Sequence, residues 1–240
     1  MNVLLIARRD LAAYLHGVSG YAIIAAVLFL DGLLFNAFAL GRGAQYSHEV
    51  LQQFFYFASG TTMTAAVLLT MRSFAEERTQ GTQLLLDTAP IADWQIVAGK
   101  YLAAMGMLTL LTLLTMYMPA LIFVNGKVSV AHVAVGYLGL LALGSATTAI
   151  GLFGSSLFRS QVAAAIFSGV VVGALILCWL LSEITDPPFT DVIAYMALYD
   201  KHFTAFEKGR LVTSALVYYG SVTFGFLLLS TRVHEGRRWS

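Results

Sequence analysis

The chain has 240 residues, of which 58% are apolar and only 11% charged, with a mean hydropathy of +0.77 and a formal net charge of +1. Soluble domains carry about 25% charged residues, so an ordinary soluble protein is excluded, and nothing in the charge balance calls for nucleic acid as a partner. Apolar runs of about 20 residues, each long enough to cross a bilayer as a helix, without the dyad alternation of a membrane barrel, predict an all-α polytopic membrane protein whose single domain is the whole chain, 1–240.

Taken in chain order, residues 2–16 predict a helix with Leu4, Ala7, Leu11 and Leu15 on one face and Asn2, Arg9, Ala13 and His16 on another. That pattern suits a helix lying in the membrane interface with its apolar side in lipid, broken by Gly17 and Gly20 before the first span. Arg8-Arg9 is followed by Asp10 and by an apolar stretch too long for the core of a cleavable leader, so the segment reads as a signal anchor with interfacial charge. Six spans are predicted at 21–40, 54–71, 101–124, 133–153, 162–181 and 211–231. In the first, Asp31 sits near mid-membrane, where a carboxylate costs roughly 2.5–3.5 kcal/mol and must face protein or water. It reads either as a polar point on a translocation path or as a packing residue, and Asn36 is not placed to be its local partner.

Between spans two and three lies "RSFAEERTQGTQLLLDTAP". Ser73 and Glu76 have capping-box spacing, predicting a short helix from Phe74. Gly81 supplies a left-handed end, and Thr82 is a cap candidate for a second helix through Leu84, Leu85 and Leu86 that stops at Pro90. Asp93 is expected to cap a third helix running through Lys100 into the next span. As a plain connector the segment needs neither its acidic residues, which contribute little to topology, nor its leucines. A docking element for a partner uses both.

Span three carries Met105, Met107, Met116 and Met118 in pairs eleven residues apart, close to one face of a helix. Without an accompanying Cys-His set they read as core and not as a metal path, and no metal or cofactor is expected on this chain. Span five carries Gly169-x-x-x-Gly173, which suits close helix approach within the chain or between copies. The lone Cys178 excludes an internal disulfide framework. Residues 183–210 form the other long loop, placed outside by the orientation that follows. With the N-terminus inside, Arg8, Arg9, Arg72, Arg78, Lys100, Arg159, Arg232, Arg237 and Arg238 face the cytoplasm, against Arg42, Lys127, Lys201, Lys208 and Arg210 outside. Nine against five predicts both termini cytoplasmic.

The run "RSFAEERTQGTQLLLDTAPIADWQIVAGKYLA" resembles the loop of type-2 ABC transporter permeases, with Arg72, Ser73, Phe74, Glu76, Glu77, Arg78, Gly81, Thr82, Pro90, Gly99 and Lys100 in register. The C-terminal stretch, with His202, Phe203, Phe206, Gly209, Tyr218, Tyr219 and Arg237-Arg238-Trp239, is similar to the gliding-motility and nitrous-oxide-reductase-maturation permeases. This resemblance implies an elbow helix at 2–16, a cytoplasmic coupling loop at 72–100 and external short helices within 183–210. It also implies a second permease copy (the same chain or a close paralogue), two copies of a separate ATPase that binds ATP and Mg, and a periplasmic or auxiliary envelope subunit, all at a bacterial inner membrane. Phe74, Glu76, Glu77, Arg78, Gly81 and Thr82 become the expected ATPase-coupling residues. Gln83 stands where the family often has an acid, which leaves Glu76 and Glu77 as the charges of interest.

The chain has no G-x-x-x-x-G-K-[ST] loop, so it is not expected to be an enzyme: ATP chemistry belongs to the partner. The expected function is export, coupled to that ATPase. The alternative is mechanical or signalling work on an envelope partner through the same coupling parts. A remote third reading, an intramembrane serine protease built on Gly17-Val-Ser-Gly20, lacks a histidine base placed beside Ser19.

Overall fold

The computed structural model describes residues 2–39, 46–82, 91–125, 128–186 and 189–238. The predicted second loop helix at Leu84–Leu86, with Gln83 and Pro90, lies outside the described residues, as do Arg42, Lys127 and Trp239. Among those described, every regular element is helical. They are α1 (Asn2–His16), α2 (Val18–Leu34) with a π-helical turn at Phe35–Ala39, α3 (Ser47–Thr70), α4 (Ala75–Gln80), α5 (Asp93–Leu114), α6 (Tyr117–Asn125), α7 (Val130–Leu157), α8 (Gln161–Ile184), α9 (Phe189–Met196), α10 (Phe203–Glu207) and α11 (Thr213–Arg238). Six helical stretches, formed by α2, α3, α5–α6, α7, α8 and α11, are long and apolar enough to cross a membrane, matching the six predicted spans. The helices outrun the hydropathy limits: α5 starts at Asp93 and α11 runs to Arg238, because polar turns continue a helix without contributing to an apolar window.

The bundle is organised on α7, which packs against α3, α5, α8, α10 and α11. Its glycines allow that. A Cβ on Gly136 would sit 2.1 Å from the Phe55 ring, and one on Gly151 would sit 2.0 Å from the Thr70 hydroxyl, so backbone contact there substitutes for side chains. One core cluster joins α3, α7, α10 and α11 through Phe55, Leu140, Phe203, Phe206 and Tyr219. A second joins α2, α3 and α5 through Val27, Leu69, Met107 and Leu111, with Leu11 and Leu15 of α1 against it. A third, containing Ile6, Phe74, Ile96, Val97 and Leu152, holds α4.

Two span irregularities are local. Span three breaks at Thr115–Met116, the turn preceding Pro119, whose ring crowds the carbonyl four residues back. Thr115 Oγ1 donates to Thr112 O at 2.7 Å and lies 3.1 Å from the Tyr137 hydroxyl. The break ends the methionine register: Met107 and Met118 lie in different core clusters, and Met116 is exposed. In span one the π-helical turn follows Asp31 by four residues.

The elbow helix has its predicted limits but not its predicted face. Ala7, Leu11 and Leu15 turn toward the bundle, Ile6 joins them, and Leu4 and Leu5 point outward. Packing on α5 rotates the helix relative to the expected stripe, since Gly99 lets Ile6 and the Val3 carbonyl approach the α5 backbone.

The far end of the bundle, opposite α1 and α4, is closed by the 197–210 segment. His202 Nε2 donates to Tyr195 O at 2.9 Å and its ring stacks on Tyr218 at 3.9 Å. Tyr218 and Tyr219 donate to Met196 O and Leu198 O, both at 2.7 Å. Tyr199 donates to Glu207 Oε2 at 2.7 Å, and His132 Nε2 donates to Glu207 O at 2.7 Å. Burial holds the His202 imidazole below its usual range, against the Tyr195 carbonyl that raises it, and burial pushes the Glu207 carboxyl up. Gly209, at φ 71°, ends this segment against the His132 ring. Of the C-terminal residues that carry the family resemblance, His202, Phe203, Phe206, Gly209, Tyr218 and Tyr219 are therefore parts of one cap.

Candidate functional site

Phe74–Thr82 do not form a free connector. Phe74 is buried at the helix start, with φ −106° and ψ −36°, and the capping box predicted from Ser73 and Glu76 is not made. Ser73 instead lies with its hydroxyl 3.2 Å from that of Tyr14, and Glu76 pairs with Arg72 at 3.1 Å. The cap comes from another helix. Ser155 Oγ of α7 accepts the Phe74 and Ala75 amides at 3.0 and 3.2 Å and donates to Met71 O at 3.1 Å, which satisfies donors that a helix start leaves open. Ser155→Ala therefore should destabilise the protein by about 1–2 kcal/mol, as loss of an ordinary cap does, read by thermal unfolding; Ser73→Ala should have the smaller effect. The other end follows the sequence: Gly81 takes φ 71°, ψ 4°. Along α4, Arg78 Nη1 donates to Phe158 O and Thr79 Oγ1 to Arg159 O, both at 3.2 Å, seating it on the α7–α8 turn.

The charged residues of α4 divide into two groups. Glu77 faces inward. Its carboxylate lies 2.8 Å from Lys100 Nζ of α5 and 2.8 Å from Arg9 Nη2 of α1. Lys100 is 2% exposed. Its ammonium donates to Ser73 O at 2.7 Å and to Asp10 Oδ2 at 3.3 Å and forms an ion pair with Glu77 at 2.8 Å, while the Phe74 ring lies 5.1 Å away. Asp10 in turn pairs with Arg9 at 2.7 Å. Buried charge is tolerable only when paired and hydrogen-bonded on this scale, so the cluster fixes α1, α4 and α5 against one another. Tyr14 adds a neutral tie: its hydroxyl donates to Leu69 O at 2.8 Å, and burial pushes its pKa up to about 12. Glu76 and Gln80, by contrast, stand on the outer side, joined at 3.3 Å. Thr82 Oγ1 donates to Glu77 O at 3.4 Å; its expected cap of a second helix lies outside the described residues.

Further ends converge here. The buried His234 of α11 packs on Phe74 at 5.5 Å between ring centres and lies 3.7 Å from Asp93. Asp93 is the first residue of α5 and Ala92 its cap, one residue off the predicted start, because the carboxylate turns to α11. Arg237 Nη2 donates to Leu157 O at 2.6 Å. A groove of about 920 Å³ opens between α1 and α4, lined by Arg9, Tyr14, Ser19, Glu76, Gln80 and Lys100 among others. Phe74, Glu77, Arg78 and Gly81 are thus brought together in one anchored helix with Glu76 on its free side. Lys100 and Asp10 complete the cluster. Lys100 was visible as part of the resemblance; Asp10 had no local signal.

The remaining expected sites lie elsewhere. Asp31 is buried and accepts from Thr61 Oγ1 at 2.6 Å, a partner from the next span that spacing within span one could not reveal. Around Gly169 and Gly173 an added Cβ meets nothing within 4 Å, so this pair serves no close approach among the described residues of the chain. His132 and His202 are held at the far end by Glu207 and Tyr195, distant from Ser19 in the α1–α4 groove, which removes them as bases for a serine nucleophile.

The arrangement joins a short, surface-reaching helix to the ends of the membrane-crossing helices. No curated protein matches the chain at a significant level. The family model of the ABC-2 family transporter protein matches residues 18–232, nearly the whole chain including all six spans, and the protein belongs to that family of multi-pass ABC transporter permeases.

Proposed function

We propose that the chain is the membrane subunit of an ABC exporter, with α4 as the helix through which a separate ATPase moves the spans. ABC-2 permeases in general work with an ATPase and as membrane-embedded dimers; here we take the partners to be two ATPase copies, which hold ATP and Mg, and a second permease copy. The carrying observation is the division of α4 into an anchored face, Glu77 on buried Lys100 and Arg9, and a free face with Glu76 and Gln80. A transmitting element needs both, since coupling requires a discrete body that two sites bias.

On this reading α4 and both termini are cytoplasmic in a bacterial inner membrane, supported by the excess of Lys and Arg at that end. The capped segment around His202 and Tyr218 is then external and supports placement among the gliding-motility and nitrous-oxide-reductase-maturation permeases. Gly169 and Gly173, open on the α8 surface, are offered to the second copy. Asp31 acts through Thr61, which it holds in place. The same coupling parts also serve work on an envelope partner without transport.

The test separates the faces. Glu76→Lys should reduce ATPase co-purification at least severalfold while lowering the thermal unfolding midpoint by no more than about 4 °C, the cost of losing its partly exposed pair with Arg72. Full co-purification and full coupled hydrolysis in Glu76→Lys would remove α4 as the docking helix.

A further inference from the structure

A second groove, of about 650 Å³, runs along α3 between α2 and α8, separate from the α1–α4 cluster. Its end at the cap side is lined by Tyr56, Trp179, Tyr199 and Asp200. The Tyr56 and Tyr199 rings meet edge-on at 5.7 Å, and the Tyr199 hydroxyl is fixed by Glu207. Tyr56 is 52% and Trp179 37% exposed. Asp200 is exposed and is the one charged residue among the described residues of the lining. Aromatic faces beside a carboxylate are the chemistry that receives an ammonium group.

From this mouth the groove descends along α3 to Leu68, between Leu30 and Leu34 on one side and Ile176 on the other. The twelve residues from Tyr56 to Leu68 span about 18 Å of helix, roughly one leaflet of a hydrocarbon core of about 30 Å. Hydroxyls along this wall are turned away from the groove's needs: Ser59 donates to Tyr56 O, Thr64 to Gly60 O and Thr61 to Asp31. What remains is an apolar channel under a mouth of aromatic rings and one carboxylate. Gly60 leaves a gap in its wall, since an added Cβ there meets nothing within 4 Å.

We infer that this groove binds an amphiphile with an ammonium head and an alkyl chain, head among Tyr56, Trp179, Tyr199 and Asp200, chain along α3. As a statement of substrate class the inference rests on the permease reading; as a binding site it does not.

The test uses the purified full chain in a neutral maltoside detergent and two photoactivatable probes of equal chain length, one with a trimethylammonium head and one with a hydroxyl head. The trimethylammonium probe should label groove residues of α2 and α3 saturably. Its labelling should fall roughly fivefold or more in Tyr56→Ala and in Asp200→Asn, the loss expected from a desolvated cation–π or charge contact. The hydroxyl probe should label weakly and equally in all. Gly60→Leu sends its side chain into the channel from a position where an added Cβ meets nothing within 4 Å, and should abolish labelling even if Tyr56→Ala folds poorly. Equal labelling by both heads, or labelling unchanged in Asp200→Asn and Gly60→Leu, overturns the inference. So does an efficient Gly60→Cys disulfide between two copies, which would give the groove to the second copy. Labelling as predicted together with an inert Glu76→Lys would leave the site standing and remove the coupling reading; the reverse pattern would do the opposite.

Discussion

Lys100→Met is expected to lower stability by about 2–3 kcal/mol, somewhat under the cost of breaking a fully buried pair, or roughly 5–10 °C in the unfolding midpoint for a chain of this size. The cause is specific. Lys100 is 2% exposed and is the shared partner of Asp10 and Glu77, each 17% exposed, so its removal leaves two carboxylates facing one another with only Arg9 between them. Adding Glu77→Gln to Lys100→Met should recover part of the loss, because one of the orphaned charges is gone. Contacting residues are non-additive in this way. Additive losses, or a Lys100→Met protein as stable as wild type, would mean the cluster does not hold α1, α4 and α5 together. Coupled ATPase activity should fall further than stability alone explains, since α4 loses its seat on α5 while its outer face is unchanged.

Gly20→Val tests the other join. A Cβ on Gly20 would lie 2.0 Å from the Tyr14 carbonyl oxygen, a backbone atom, so no side-chain rotation relieves it. The α1–α2 corner must open, at about 3 kcal/mol, the upper part of the usual overpacking range. The elbow helix should detach first, exposing the amides of α1 to hydrogen exchange while α3, α7 and α11 stay protected. Gly220→Val, at a position where nothing lies within 4 Å, is the control. Equal behaviour of the two variants would show that the corner is not tight.

The spans were legible because a bilayer demands about 20 apolar residues and the chain supplies six such runs. Gly81 was legible too: a left-handed residue at a helix end is a local requirement that glycine meets. What local pattern missed is what comes from other helices. Ser73 had the spacing of a cap, but Ser155 reached the amides first and Ser73 turned to Tyr14. Asp31 showed no partner within its own span and found Thr61 thirty residues on. Glu77 pairs with Lys100 and Arg9, partners from α5 and α1 that spacing within the loop does not indicate. Separation in sequence carries no record of such pairs, and their residue types are the same as those of solvated charges. The cap at the far end shows the complement: His202, Phe206, Tyr218 and Tyr219 drew notice through resemblance alone, and their packing supplies the physical reason.

The central claim is that α4 is cytoplasmic and covered by an ATPase. It is tested by a single cysteine at Gln80, exposed on the free face, in a background where Cys178, the chain's one native cysteine, is serine. A membrane-impermeant maleimide should label it in inside-out vesicles, leave it unlabelled in intact cells, and label it several times more slowly when the ATPase is co-expressed. Labelling from outside intact cells, or equal rates with and without the ATPase, would contradict the claim.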